Sequence, residues 1–407
     1  MDSMIRRIPP LEAARWLVAA IMVAMLFSPP ITILFELALL FLMLGSGALR
    51  ARLIGIAREP MVLGMLAFIT VVTIGLAYGI ENRTEPFGIW FSWRKLLLLP
   101  MAMALFDEDR WKLRLAWVLV VATVLCALAS YVGVLFDVNY YKYLNGIVVR
   151  NHATQGIIFS VAAFAALVLL KFGPQHRVSQ KLFLAAAALL LIANVVFVAG
   201  GRSGYVVLFI LAVSLALGWP GLQRASFARR IGFVAGAMAL TFGLLAVSPV
   251  ARDRIAQGVK EIQASGQSEE VTSMSERVVY MRNALRLISE RPIIGYGTGS
   301  FEAAYSRLVA GKTGVDGIKA HDPHNQFVKI VAEHGLIGLA VFIAFLGAAF
   351  RQRSRPPYRL LALGVLVAWC GTSLFSSHFS TFTEGRFLAL WLGAFLARAG
   401  EQPHQPA

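Results

Sequence analysis

Residues 181–219 read KLFLAAAALLLIANVVFVAGGRSGYVVLFILAVSLALGW, and between Lys181 and Arg224 the one charged residue is Arg202. Two apolar runs, 181–200 and 205–219, meet at Gly200-Gly201-Arg202-Ser203-Gly204. A helix rises about 1.5 Å per residue, so about 20 apolar residues cross a hydrocarbon core about 30 Å thick. Lipid offers no water to unpaired amides, which makes helices the natural spanning form. The stretch therefore predicts two membrane helices joined by a tight glycine turn that carries one arginine.

The same pattern recurs along the chain. Apolar segments lie near 13–27, 31–47, 61–80, 87–106, 113–136, 156–172, 181–200, 205–219, 231–248, 327–350, 360–378 and 386–399. The fold class expected is an all-α polytopic membrane protein with about twelve transmembrane helices. The first two segments are short and joined by Pro29 and Pro30, which suits a tight hairpin as well as two full spans. Composition agrees: of 407 residues, 58% are apolar and 15% charged, with a mean hydropathy of +0.68. A soluble domain carries about 25% charge and about 45–50% apolar residues. Length alone would allow two or three soluble domains, but the apolar runs exclude them. Cys126 and Cys370 both lie inside such runs, which excludes a disulfide framework and a Cys-based metal site. No small-residue cleavage pattern follows Met1–Pro10, so no cleavable signal peptide is expected.

The loops alternate in charge. One set holds 19 of the 38 Lys and Arg residues, from Arg6 and Arg7 through Arg50, Arg52, Arg58, Arg110, Lys112 and Arg114 to Arg351, Arg353, Arg355, Arg359 and Arg398. The opposite short loops hold only Arg83, Lys142, Arg150, Arg202 and Arg386. The positive-inside rule then places both termini in the cytoplasm. The net charge of +16 and the pI near 10.3 are thus a topology signal spread over seven loops. No nucleic-acid partner is expected.

Residues 249–326 break the pattern with a long polar stretch on the outer side. The expected organisation is nine spans in 1–248, this large outer loop with helices in 249–326, three spans in 327–400 and a cytoplasmic tail at 401–407. Within the loop, Ser273-Met274-Ser275-Glu276 fits a helix capping box, and Val278, Met281, Leu285 and Ile288 recur at helical spacing. Pro292 ends that run and Gly295, Gly297 and Gly299 follow. A helical cap on the outer face is predicted.

Residues suited to chemistry gather on the same face. They are His321, His324 and Asn325 where the loop re-enters the membrane, Arg202 in its glycine turn, Arg150 in the preceding outer loop, Arg277 on the loop helix, and Arg94 and Lys95 towards the outer end of the fourth span. The Arg fork matches phosphate oxygens two at a time and keeps its charge. A lone Arg at span depth costs about 2.5–3.5 kcal/mol on insertion scales, so such residues have an anionic partner or a function. His changes charge near neutral pH and can act as a general base. Plain alternatives stand beside these readings. Arg202 suits an interfacial anchor, Arg277 a solvated helix face, Arg94 and Lys95 snorkelling to head groups, and His321 a structural role. Glu36, Glu333 and His334 suit interhelical hydrogen bonds. No phosphate-binding GxxxxGK[ST] and no HExxH is present, Asp107-Glu108-Asp109 lies on the cytoplasmic side, and neither a metal nor a cofactor is expected.

At the re-entry point His324-Asn325 is followed, after nine residues, by Gly335-Leu336-Ile337-Gly338. This resembles the HN-x9-GxxG signature of the O-antigen ligase and polymerase superfamily. Arg202 in Gly-Arg-Ser-Gly resembles that family's short outer loop, with Gly-Gly before the Arg where many relatives have Ser or Thr. The stretch from Arg277 to Phe301, containing Pro292-Ile293-Ile294-Gly295-Tyr296-Gly297, resembles its Arg-helix-Pro-Gly-x-Gly segment. The likeness is close over about 200–340.

The resemblance implies a GT-C-like membrane glycosyltransferase in the bacterial inner membrane with a periplasmic active site. It implies ligation of O-polysaccharide from undecaprenyl diphosphate to a lipid A-core sugar, without metal. Carried over by position, His324, Arg202 and Arg277 are the catalytic candidates, and Asn325, Arg150, His321, Arg94 and Lys95 candidate substrate contacts. The implied partners are undecaprenyl-diphosphate-linked O-antigen, lipid A-core oligosaccharide and the phospholipid membrane. An O-antigen polymerase and a protein O-oligosaccharyltransferase are the rivals within the superfamily, and a lipid or glycan transporter is the rival outside it.

Overall fold

The computed structural model describes residues 9–80, 84–140, 145–174, 177–218, 225–264 and 273–398. Arg6, Arg7, Arg83, Lys142, Arg224, the 401–407 tail and the side chains of Ser273, Met274 and Ser275 lie outside the described residues.

Among the described residues the fold is helical, with no strand. Its helices are α1 (Pro10–Ala24), α2 (Pro29–Gly45), α3 (Gly47–Gly55), α4 (Pro60–Ile74), α5 (Thr84–Ser92), α6 (Leu98–Leu105), α7 (Asp109–Leu135), α8 (His152–Phe172), α9 (Val178–Asn194) and α10 (Arg202–Leu217). There follow α11 (Phe227–Val247), α12 (Pro249–Ala264), α13 (Ser273–Glu290), α14 (Phe301–Leu308), α15 (Gln326–Arg351), α16 (Tyr358–Thr372) and α17 (Phe382–Leu396). Every apolar segment named above except 87–106 falls chiefly on a single α-helix. Five, namely α7, α8, α9 with its Val195–Ala199 extension, α11 and α15, are long and apolar enough to cross a membrane. Counting the bent pair α2–α3 as one span makes six.

Local chemistry sets the departures from simple rods. Pro29 and Pro30 open α2, where their fixed φ suits a helix start, and α2 packs against α1 as a hairpin. At Ser46 the chain turns by 93° into α3. The segment 87–106, expected as one span, is α5, a 3-10 stretch Trp93–Leu97, and α6. The tighter stretch carries Lys95, whose ammonium is tied to the turn before α17 by hydrogen bonds to the Ser380 and Thr381 carbonyls. After Val195–Ala199, which is wound as a π-helix, Gly200 takes φ +62° and starts the turn into α10.

Hydrogen bonds gather the start of α8, the end of α9, the end of α11 and the starts of α15 and α17 at one end of the bundle. Ser248 Oγ donates to Val196 O at 2.6 Å, Gln326 N to Ser373 O at 2.9 Å, and Thr154 Oγ1 to Glu384 Oε1 at 2.6 Å. At the opposite end Arg15, only 3% exposed, pairs with Asp107 and Glu108 at 2.8 Å each, and Arg52 pairs with Asp107 at 2.8 Å. Asp107 and Glu108 are thereby occupied by Arg15 of α1 and Arg52 of α3. Residues 273–320 build a small core of their own from Tyr280, Ala284, Leu287, Phe301 and Tyr305, which closes on Ala332 of α15.

α8 and α10 touch backbone to backbone. A Cβ on Gly204 would lie 2.8 Å from Gly156 Cα, and one on Gly201 2.8 Å from the His152 carbonyl oxygen. Such approach needs glycine, and it sets the first turn of α10, with Arg202, beside the first turn of α8. Gly204→Val is expected to lower stability by about 1–3 kcal/mol or more through overpacking. Gly236→Ala, where a Cβ meets open space, should leave stability unchanged or raise it. Thermal midpoints in detergent check both.

Candidate functional site

The signature His324-Asn325 is a helix start. Asn325 Oδ1 accepts from the Phe327 and Val328 amides at 3.0 and 3.1 Å, and its Nδ2 donates to Leu374 O at 3.1 Å. Such an N-cap is worth about 0.5–2 kcal/mol. The Asn325 amide is thus bonded into the fold beside His324. His324 itself takes φ +55°, a left-handed conformation that His tolerates better than bulkier residues. Asp322 holds that turn: its Oδ1 accepts from the His324 amide at 2.8 Å and from Ser377 Oγ at 2.7 Å, while Lys329 Nζ pairs with Oδ2 at 2.8 Å. Burial pushes the Asp322 carboxyl up, but Lys329 and these donors together hold it below the usual carboxylate range.

The imidazole of His324 stacks on Tyr280, ring centroids 6.1 Å apart and planes at 21°. Tyr280 follows Arg277 by three residues, so the two share a face of α13. Burial lowers the His324 pKa from 6.5, and the positive charge of Arg277 lowers it further against the opposing pull of Asp322. The structure thus brings His324 and Arg277 together and leaves the imidazole neutral at neutral pH.

The other half of the signature explains how α13 is held there. Gly335, inside α15, takes φ +64° and ψ −168°, a region that only glycine occupies readily. A Cβ there would lie 2.0 Å from Ile293 O. The break frees helix groups that the stretch after α13 satisfies: Tyr296 N donates to Ala332 O at 2.9 Å, Gly297 N to Glu333 O at 2.7 Å, and Leu336 N to Pro292 O at 2.8 Å. Thr298 then bonds onto α4, with its amide to Gly75 O at 3.1 Å and its hydroxyl to Val72 O at 2.5 Å.

Arg202 is the first residue of α10, and its guanidinium lies against α12, where a Cβ on Gly258 would approach its Cζ to 3.3 Å. α12 packs on α13, so one helix separates the backbone carrying Arg202 from the helix carrying Arg277. A further arginine of α12, Arg254, reaches Gly200 and acts electrostatically on His152 and Tyr205.

Two further cations, Arg150 and Arg386, stand over Phe382. Arg150, at φ +36°, places its guanidinium 5.0 Å from that ring with a buried Nη1 that makes no hydrogen bond. Arg386 lies 3.8 Å from the same ring and forks onto Glu36 at 2.5 and 3.4 Å, with Arg94 at 4.0 Å from Glu36. Lys95 does not snorkel: it is 1% exposed and its ammonium is bonded to carbonyls. His321, 79% exposed, pairs with Glu302 at 2.5 Å. With Glu85 these two form a group whose ligand atoms lie within 4.8 Å of one another, a geometry able to hold a metal ion. The hydrogen bond to Glu302 pushes the Glu85 carboxyl up. Residues 85, 302 and 321 are too far apart in the chain for sequence spacing to reveal the group. The sequence marked Arg386 only as an outer-loop charge and did not mark Tyr280. Tyr280 carried one signal, its three-residue offset from Arg277.

Residues 186–343 match the family profile described as O-antigen ligase. The match begins in α9 and ends in α15, so it contains Arg202, Arg277 and the His324 signature. No curated protein matches the chain.

Replacing Arg277 by Gln removes a charge that disfavours imidazolium, so the His324 pKa should rise and the neutral form should be lost at higher pH than in the parent. Histidine NMR titration in nanodiscs measures the shift, and a fall or no change would count against their proximity.

Proposed function

We propose, from the assignment of residues 186–343 to the O-antigen ligase family, that this chain transfers a glycan from a lipid diphosphate to a sugar hydroxyl at the His324 end of the bundle. The pairing of a neutral, partly buried His324 with Arg277 carries the reading. The acceptor is the lipid A-core oligosaccharide and the donor is undecaprenyl-diphosphate-linked O-polysaccharide. The twelve apolar segments act as spans, both termini are cytoplasmic, and the reacting end opens to the periplasmic leaflet of the inner membrane.

In this reading the acceptor oxygen attacks the anomeric carbon as the bond from that carbon to the diphosphate oxygen breaks. His324 takes the hydroxyl proton, a role worth about 10²–10⁴-fold. The diphosphate leaves with the bonding pair. Its growing charge falls to Arg202 and Arg277, and a preorganised donor of that kind is worth about 2.7–4 kcal/mol. A single displacement inverts an α-linked donor to a β-linked product. Asn325 acts by capping α15 and so setting His324. Arg150, Arg94 and Arg386 form a cationic rim suited to further anionic groups of the lipids, with Lys95 holding the turn that leads into α17, the helix of Arg386. Donor and acceptor are confined to one leaflet, which supplies proximity.

Purified protein, undecaprenyl-linked glycan and rough lipopolysaccharide in detergent with EDTA test the whole reading. Ligated product is expected from the parent chain. It should fall by about 10²-fold or more in His324→Ala, in line with loss of a general base. Arg202→Ala and Arg277→Ala should each cost about 10²–10³-fold. Full activity of His324→Ala removes it as base, and glycan added to the donor instead of the core reassigns the chain to polymerisation.

A further inference from the structure

The end of the bundle away from His324 holds a cleft of about 490 Å³ that the transfer chemistry does not use. It lies between Pro60 at the start of α4, the last turns of α15 and Arg398 beyond α17. Lys112 Nζ donates to Ala397 O at 2.5 Å and Tyr358 Oη to Asp109 O at 3.0 Å, which sets the cleft at the end where Arg15 and Arg52 close on Asp107. Its polar wall is Arg351, Gln352, Arg353 and Arg398, and no acid lies among its lining residues. Glu59, next to Pro60 in the chain, accepts from Gln352 Nε2 at 3.3 Å and pairs with Arg398 at 3.1 Å. Among the described residues Arg351 and Arg353 have no carboxylate within ion-pair distance, so the cleft carries a surplus of positive charge.

An apolar wall runs on from these arginines along α15. Ile343, Gly347 and Arg351 follow at four-residue spacing on one face, with Ala344 and Ala348 beside them. From Ile343 to Arg351 is about 12 Å at 1.5 Å per residue, and the hydrocarbon of one leaflet is about 15 Å deep. Small residues keep this face open, since a Cβ on Gly347 meets nothing within 4 Å. Beside it α4 closes on α15, where a Cβ on Gly64 would lie 2.9 Å from Phe345 Cα. α15 is long and apolar enough to cross a membrane, and Arg351 ends it, so the guanidinium groups stand where a span meets head groups. The Arg fork matches phosphate oxygens. A zwitterionic head would bring an ammonium against three guanidinium groups, and an anionic head brings none.

We propose that this cleft binds one anionic glycerophospholipid of the leaflet at the Arg351 end, its phosphate on Arg351, Arg353 and Arg398 and one acyl chain along Gly347 and Ile343. The ligand is a resident lipid that the transfer neither consumes nor releases. It ties α4, α15 and the end of α17 together and so fixes the far end of the helix whose first turn follows His324. The inference rests on the membrane reading of α15 and is independent of the transferase reading.

The probes are dioleoylphosphatidylglycerol, dioleoylphosphatidylcholine and glycerol 1-phosphate, titrated against the full chain in detergent, with native mass spectrometry counting the adducts. One phosphatidylglycerol is expected to bind ahead of any further adduct, more tightly than phosphatidylcholine and without displacement by glycerol 1-phosphate. The double variant Arg351→Gln, Arg353→Gln should weaken that first adduct by about tenfold or more, in line with the loss of two cations at a membrane surface. Gly347→Leu should also weaken it, by filling the apolar wall without striking the backbone, and it keeps the test decisive should the double variant fail to melt cooperatively. Lys181→Gln, at the start of α9 in another basic loop, should bind as the parent does. Parent-like affinity in either folded cleft variant overturns the proposal. So does an equal loss in Lys181→Gln, which marks diffuse attraction to a basic surface, or equal affinity for phosphatidylcholine, which marks general lipid contact. Displacement by glycerol 1-phosphate also overturns it and marks a site for soluble phosphate.

Discussion

The backbone bonds between residues 292–297 and the broken turn of α15 are the constraint on which the site depends. A helix interrupted at Gly335 loses some of its own amide pairing, and in an apolar setting unpaired amides are costly. Pro292, Tyr296 and Gly297 supply the missing partners. The same contact fixes the polar segment to the bundle, because α13 ends two residues before Pro292. Arg277 and Tyr280 therefore reach His324 through a backbone lock and not through a flexible tether. Gly335 of the signature is thereby tied, through residues 292–297 and α13, to the His at its head.

Charge is arranged differently at the two ends of the bundle. At one end, Arg15 of α1 and Arg52 of α3 close on Asp107 and Glu108 and the ion pairs are compact. At the other end Arg150 and Arg386 stand over Phe382, and Arg94 and Arg386 share Glu36. A lone guanidinium near hydrocarbon is unfavourable, so Arg386 is held by Glu36 and the face of Phe382. Asp322 and Lys329 form a separate pair whose task is to shape the His324 turn.

Much of this was legible in the chain. The apolar runs placed the helices, because a helix must pair its own amides and the runs have helical length. Pro29, Pro292 and the glycine clusters marked the turns, and α13 followed from the spacing of Val278, Met281, Leu285 and Ile288, whereas α12 and α14 carried no such signal. The break in 87–106 was not legible, since nothing in its composition records that Lys95 is tied to Ser380 and Thr381, nearly three hundred residues away. For the same reason the snorkelling reading of Lys95 failed: exposure depends on what covers a side chain.

The sequence by itself determined a helical membrane chain, the polar insertion before α15, and the residue types His324, Arg202 and Arg277 at family-like positions. Those features follow from local periodicity, hydropathy and short motifs, which need only neighbours in the chain. The tertiary structure alone decided that Arg277 depresses the His324 pKa, that Asn325 caps α15, that Arg386 forks onto Glu36, and that the start of α4, the end of α15 and Arg398 enclose one cleft. Each of these is a meeting of distant segments, set by how close glycine-lined backbones can come and by where buried amides and charges find partners.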